Sequence, residues 1–361
     1  MCIRRLNRSE AQMAIELSDR VFREKDQVSM GKAFPFIFSE AFIESSYGYF
    51  IEGKLIVFMG LVPSTICIGN ARVQVYSLGS VCTHPDYRGK GYASEVLEQI
   101  LKDLQESEAA LLLISGDRSL YTRKGSRFFG ETSVFEIEEH HKVDCIENAE
   151  IREMQQGDLH SITRCAHERR VRYEQTVTEL NQLLQAEAYA SCIKKQHRVL
   201  VAEVNDELKA FLVVGVPYHS DNKTGTVIEW AGDPRLLLAL LKEAIEKYNL
   251  DKLQIKVPWQ ETQLVESLSV IPSATENNQG TMLIIDPEKL LGQLKPFFEE
   301  RHVLLKYTKA EDKEGVYLEH NDGVQYLSNE ALIAGLFNPH DRQLEVDFKV
   351  PLPYTAGLNY V

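Results

Sequence analysis

The sequence predicts an α/β (α+β) chain in which two similar units stand in tandem and a third segment follows. Three observations carry this. The order of strands and helices repeats at an offset of 151 − 3 = 148 residues near the start of each copy and 217 − 63 = 154 further on. A strand, a glycine-rich turn and a long amphipathic helix succeed one another over residues 78–104. A new strand and two helices are written after residue 281, beyond the second copy. The 361 residues allow two or three domains at roughly 100–200 residues each.

The first copy opens with Ile3-Arg4-Arg5-Leu6, a short strand, and Glu10-Ala11-Gln12-Met13-Ala14-Ile15, a helix. Ile151-Arg152-Glu153-Met154 and Asp158-Leu159-His160-Ser161-Ile162 read the same way. A turn at Gly53 leads into a strand ending Met59-Gly60-Leu61-Val62-Pro63, and its counterpart ends Val214-Gly215-Val216-Pro217. In each copy a further strand and an amphipathic helix follow, the layout of layered α/β units. In the third segment Met282-Leu283-Ile284-Ile285 is an apolar strand. Asp286-Pro287 then starts a helix, with Asp at the cap and Pro at the first position. A second helix spans 329–337. The expected divisions are 1–147, 148–277 and 278–361. The tail, 351–361, is neither polar nor of low complexity, so it is expected to pack against something.

Composition excludes several classes. With 40 Lys and Arg against 53 Asp and Glu, the net charge is −13. Such a chain repels phosphate backbones, which argues against nucleic acid, and would attract cations such as amines; acidity that only keeps the chain soluble is the other reading. No apolar run reaches the length of a membrane span, and the start has no apolar segment of a secretory signal. The six cysteines, including Cys82 and Cys145, form no CxxC pair. That pattern suits free thiols in a reducing cytoplasm and argues against structural zinc. His140 and His141 are adjacent, and on a strand they would face opposite sides, so no metal site is expected.

The chemistry concentrates at Arg88-Gly89-Lys90-Gly91-Tyr92-Ala93. A strand ending Val81-Cys82-Thr83 precedes it. The helix that follows places Ala93, Val96, Leu97, Ile100, Leu101 and Leu104 on one face. Glycines let successive amides point inward, the helix N-terminus adds partial positive charge, and Arg88 and Lys90 add full charges. A pyrophosphate fits such a nest; a tight turn with solvated Arg and Lys is the other reading. There is no GxGxxG and no GKS or GKT here.

The string resembles the cofactor motif of the GNAT superfamily of N-acetyltransferases, Arg/Gln-x-x-Gly-x-Gly/Ala. The resemblance implies a mixed sheet that splays at a bulge, with backbone bonds from Val81 and Thr83 to the pantetheine of acetyl-CoA. In the second copy the matching place reads Trp230-Ala231-Gly232-Asp233-Pro234-Arg235. Asp repels phosphate and Pro removes a donor, so that copy is expected to hold no CoA. Leu120-Tyr121-Thr122-Arg123-Lys124-Gly125 resembles the GNAT segment that sets a tyrosine beside the CoA sulfur. This implies that Tyr121 protonates the departing thiolate; a core tyrosine is the alternative. Arg123 either reaches the cofactor phosphates or forms a surface pair.

The three-part order resembles the enhanced intracellular survival (Eis) type, with a GNAT domain, a degenerate GNAT domain and a sterol-carrier-protein-like domain. In that type the C-terminal carboxylate enters the active site as base, which here implies Val361; a tail that only seals an interface is the alternative. Such proteins are often hexamers, so a homo-oligomer is admitted. Phe22, Phe34 and Phe36 fall where GNAT folds cover the acceptor, and none is singled out. Two functions are therefore carried forward. One is a metal-free transfer of acetyl from acetyl-CoA to a primary amine of a cationic small molecule or a lysine. The other is a non-catalytic acyl-CoA-binding or carrier module.

Overall fold

A computed structural model describes residues 1–141, 149–219, 222–311, 313–320, 323–342, 344 and 349–361. Cys145 and the expected 147/148 boundary lie outside them. In chain order the strands are β1 (Cys2–Arg5), β2 (Tyr47–Ile51), β3 (Lys54–Ile68), β4 (Ala71–Thr83) and β5 (Leu111–Ile114). Next come β6 (Glu131–Ile137), β7 (Glu150–Glu153), β8 (Val171–Tyr173), β9 (Lys195–Val204), β10 (Glu207–Pro217), β11 (Thr224–Gly232), β12 (Lys252–Pro258) and β13 (Ser273–Asn277). The last are β14 (Thr281–Ile284), β15 (Lys306–Lys309), β16 (Gly315–His320) and β17 (Gly323–Ser328). They build the mixed α/β architecture with mixed sheets that the sequence predicts. They group into two compact units, each discontinuous in sequence.

The first unit comprises Met1–Phe129, Gln279–Val350 and Val361. Its sheet runs β1-β2-β3-β4-β5-β14, with β4 and β5 the parallel pair. Residues 55–61 of β3 are buried on both faces, which is why this stretch reads as continuous apolar sequence rather than alternation. Val57, Met59 and Leu61 join a core with Val96, Leu97, Ile100 and Leu104 of the helix Tyr92–Gln105. On the opposite face Phe58 stacks on Phe38 at 5.3 Å. Beside β5 the sheet is completed by β14, whose Thr281 donates to Gly116 O at 2.8 Å. Asp286 caps the helix Pro287–Glu299 through the amides of Glu288 and Lys289, as the sequence predicts. Gln293 of that helix accepts from the Gln74 amide at 2.8 Å and donates to Glu108 O at 2.9 Å. A three-stranded antiparallel sheet, β15-β16-β17, and the helix Asn329–Phe337 finish the unit.

The second unit comprises Gly130–Asn278 and Pro351–Tyr360. Its sheet runs β13-β6-β12-β11-β10-β9-β7. The stretch β7-β9-β10-β11-β12 follows the same order as β1-β2-β3-β4-β5, and again only its last pair, β11 with β12, is parallel. The helix Pro234–Lys247 buries Leu236, Leu237, Leu238, Leu240 and Leu241 in the core of this unit. These groupings differ from three consecutive divisions: 131–137 pairs with β12 and β13, and Gln279–Val350 belongs with the first unit. The tail is packed, as expected, with Leu352, Tyr354, Ala356 and Leu358 buried.

Candidate active site

The site grows from the way β4 outlasts its parallel neighbour. Pairing with β5 runs from Val75–Leu111 to Leu78–Ile114, while β4 continues to Thr83. On the other edge the register against β3 slips, Phe58 facing Cys82 and Gly60 facing Gly79, so β4 holds one extra residue. Ser80 takes up the bulge with φ of 51°, a left-handed conformation that non-glycine residues rarely adopt. His84 N donates to Ile56 O at 2.8 Å, which turns the backbone groups of Val81 and Thr83 away from β3. The implied splay with a bulge is therefore present at the predicted strand.

Beyond Thr83 the chain makes one turn, Pro85–Tyr87, and reaches the glycine string. Gly89 and Gly91 have φ of 75° and 85°, and a Cβ on either would meet nothing within 4 Å. Glycine is required there by conformation, not by crowding. Gly91 is the N-cap of Tyr92–Gln105 and offers no side-chain acceptor, so the first amides of the helix stay available to an anion. Arg88 is exposed, its Nε 3.3 Å from Thr83 O. Lys90 Nζ lies 4.9 Å from the Tyr87 ring centre. Tyr92 stacks on Tyr49 at 4.4 Å, and Ala93 is half-buried beside it. The Cys82 side chain is buried, its sulfur 3.7 Å from Ser18 Oγ, and burial pushes its thiol up to about 12.

Tyr121 lies in the helix Ser119–Thr122 and is buried in the same core as Leu78 and Ile114. A Cβ on Gly116 would lie 3.5 Å from its ring. Burial pushes the phenol up to about 12, so it keeps its proton at neutral pH. Arg123 is exposed and donates to Ser119 O at 3.0 Å. Among Phe22, Phe34 and Phe36, Phe34 is buried, Phe22 is exposed, and Phe36 packs edge-on to Phe42 at 5.2 Å.

The terminal residue arrives at the bulge. A Cβ on Gly79 would fall onto the Val361 carboxylate and 2.9 Å from Val361 Cβ. Gly79 is thus a seat for the chain terminus. Sequence reading missed Gly79 and Ser80, although a glycine inside a strand is a known sign of a bulge or of close backbone approach.

The matching place in the second unit is built differently. Pairing of β11 with β12 covers only 224–226, and the register against β10 slips between Val213 and Val214. But Asp233 caps the following helix with its own carboxylate, 2.8 Å from Arg235 N, and Pro234 takes the first position. The bulge itself is covered: a Cβ on Gly357 would meet Glu229 Oε2 at 2.9 Å and Ile228 O at 3.2 Å. Gln260 donates to Leu352 O at 2.7 Å and Asn278 to Pro353 O at 2.9 Å.

Residues 2–129 match the family model described as acetyltransferase (GNAT) domain. Whole-chain likeness to solved structures extends the match in fold. A conserved protein of unknown function from Enterococcus faecalis V583, described as a probable N-acyltransferase, aligns at a TM-score of 0.64 with 13% identity. That alignment covers 92% of this chain and 86% of the other. A GCN5-related N-acetyltransferase from Anabaena variabilis gives 0.64 and 12%, covering 91% and 85%. Eis1 from Mycobacterium abscessus gives 0.62 and 13%, covering 93% and 90%. No curated protein matches the chain. Among the described residues no group of three or more His, Cys, Asp or Glu is placed to hold a metal, and no helix is long and apolar enough to cross a membrane.

Proposed function

We propose that the first unit transfers acetyl from acetyl-CoA to a primary amine of a cationic small molecule or a lysine. In this reading the chain is of the Eis type, with a second, degenerate GNAT unit and a sterol-carrier-protein-like third segment. The observation that carries it is the open end of β4. There an uncapped helix N-terminus, two left-handed glycines and an exposed Arg88 stand beside backbone groups of Val81 and Thr83 that β5 no longer reaches. This combination suits an elongated ligand with a pyrophosphate at one end and an amide-bearing arm at the other. Arg88 and Lys90 meet the phosphates, and Arg123 is the further cation available to them.

Proton transfer follows from the two candidate groups. The carboxylate of Val361 accepts the proton of the incoming ammonium. The freed amine attacks the thioester carbonyl, the C–N bond forms and the C–S bond breaks. Tyr121 gives a proton to the thiolate and is reprotonated, through water, by the second proton that the nitrogen sheds as the amide forms. The net charge of −13 favours a cationic acceptor.

Release of CoA thiol is measured with cadaverine, spermidine and Nα-acetyl-lysine amide, beside calorimetry with acetyl-CoA. Binding together with thiol release supports the transferase. Binding without release for every amine marks a carrier module, and no binding overturns both readings.

A further inference from the structure

We propose that Ile37 and Gly60 are positioning residues for the Val361 carboxylate, an inference that rests on the transferase reading above. Every link lies within the first unit. Gly60 of β3 faces Gly79 of β4 across the antiparallel ladder. A Cβ on Gly60 would lie 2.7 Å from Ile37 Cγ2 and 3.2 Å from Ile37 Cδ1, so Ile37 fills the place a side chain at 60 would take. A Cβ on Gly79 would fall on Val361, so the chain terminus fills the place at 79. Side chains directly opposite in an antiparallel pair stand on one face, about 5 Å apart. Ile37 and Val361 are therefore neighbours, each seated where a glycine has no side chain.

The next pair along the ladder settles which face this is. Leu61 faces Leu78, and both belong to the core beneath the helix Tyr92–Gln105. Successive residues of a strand alternate, so Gly60 and Gly79 look to the other side. Ile37 comes to that side on the helix Pro35–Phe38, whose Phe38 stacks on Phe58 at 5.3 Å. Phe58 precedes Gly60 by two residues and shares its face. Ile37 is fully buried, so it has no open space to retreat into, whereas Val361 stays partly exposed and can be met by an acceptor. Glycine inside a strand gives up packing and conformational restraint. Two of them directly opposite are explained by what they admit: an isoleucine and a chain terminus, both pressed close to the backbone.

A base takes a proton only from within hydrogen-bond reach, and a misplacement of about 1 Å costs about 10²-fold in rate. A terminal residue has no chain beyond it to hold it in register. Here Gly79 is the floor under Val361, and Ile37 is the wall beside it. The floor sets how closely the carboxylate approaches β4, and the wall stops it from sliding toward β3. Gly60 acts through Ile37, because its missing side chain sets the depth to which Ile37 sinks. Neither residue carries an exchangeable proton, so the proton path stays as given above, from ammonium to carboxylate.

The test is a double-mutant cycle of Gly60→Ala and Ile37→Ala, using acetyl-CoA and the three amines named above. Gly60 is not among the residues with positive φ, so alanine strains no backbone there and its methyl drives Ile37 from its seat. Ile37→Ala removes the wall instead; if that variant does not fold, the cycle is run with Ile37→Val. The expected result is a fall in kcat of roughly 10²-fold in each single alanine variant, with acetyl-CoA affinity by calorimetry unchanged. In the double variant the new methyl stands 2.7 Å from the place of the lost Cγ2, so most of the loss is recovered. That methyl also stands 3.1 Å from Gly79 O in Gly60→Ala and in the double variant alike, so the difference between them reads Ile37 alone. The pH profile moves as well: in the single variants kcat/KM for the amine climbs about tenfold per pH unit toward the amine's own pKa, because only pre-formed free amine reacts. Parent kcat in both single variants overturns the positioning role, as do losses that multiply in the double variant. A lower melting temperature with the parent kcat and pH profile overturns it too, and reduces Ile37 to packing. If the parent releases no thiol with any of the three amines, the transferase reading falls and the positioning with it.

Discussion

Replacing Gly79 with Ala tests the seat of the terminal carboxylate with a single methyl group. Gly79 is not among the residues with positive φ, so the backbone accepts alanine without strain. What opposes the new methyl is Val361, whose Cβ would lie 2.9 Å away and whose carboxylate would lie nearer. Carbon atoms rest at about 3.5 Å or more, so Val361 must retreat by at least about 0.6 Å at Cβ and further at the carboxylate. A displacement of about 1 Å at a reacting group lowers turnover by about 10²-fold, equivalent to about 2.7 kcal/mol of barrier. The expected outcome is that loss in kcat, with acetyl-CoA affinity by calorimetry within about threefold of the parent, since the glycine turn at Gly89 and Gly91 is untouched. The assay is completed by a cycle with a variant extended by a few polar residues after Val361. Moving the carboxylate twice loses it once, so Ala should add little in the extended background. Parent-rate turnover by Gly79→Ala, or losses that simply multiply in the double variant, would refute the terminal carboxylate as base.

Three further outcomes are expected. Tyr121→Phe should lower turnover by roughly 10²–10⁴-fold with acetyl-CoA affinity barely changed, and a parent rate reduces Tyr121 to packing. Gly91→Asp sets a carboxylate at the proposed phosphate site, so calorimetry should show acetyl-CoA binding lost while circular dichroism shows the fold kept. The third concerns Lys195, whose Nζ meets Thr226 Oγ1 at 2.5 Å and whose amine burial pushes down to about 8 from 10.5. Between those values the unfolded chain holds a proton that the native state lacks, so stability rises with pH there. Lys195→Met should therefore raise the unfolding free energy at pH 7, by at most about 3 kcal/mol and visible as a higher melting temperature, and the advantage should vanish toward pH 10.5.

Much of this was legible because it is written locally. The glycine string, the Asp286-Pro287 helix start and the apolar Met282-Leu283-Ile284 strand each depend on residues within one or two turns of themselves. The packed tail was legible from its polarity alone. What the sequence withheld is which sheet a strand joins. Residues 131–137 and 281–284 are short extended segments that would satisfy either sheet edge, and only long-range pairing decides that β14 sits beside β5 and β6 beside β12. The bulge was expected only through resemblance, because the slip belongs to the ladder between β3 and β4 and not to either strand by itself. Gly79 carried a usable sign, a glycine interrupting Ser77-Leu78 and Ser80-Val81 within a strand. Ser80 carried none, since its left-handed backbone and its orphaned hydroxyl are products of the packing around it.

The comparison of the two bulges shows how little of the fold the chemistry needs. Both sheets run in the same order, both have one parallel pair that stops early, and both slip register on the strand before the helix. A pyrophosphate nest depends on the helix start that follows. Gly91 leaves the amides of Tyr92–Gln105 without a side-chain cap, whereas Asp233 takes those of Pro234–Lys247 for itself. An incoming phosphate would have to displace a bonded carboxylate and then face its charge, at a position where Pro234 has already removed one donor. The wedge beside the second bulge is also held by the chain's own Gly357, against Ile228 O and Glu229. In the first sheet the corresponding glycine belongs to the strand, Gly79, and what rests on it is a carboxylate rather than more backbone. Exchanging which partner contributes the glycine turns a filled wedge into one that presents a charged terminus. That is why the fold alone argues for no activity in either sheet; what sets the first sheet apart is the residues at the open end of β4.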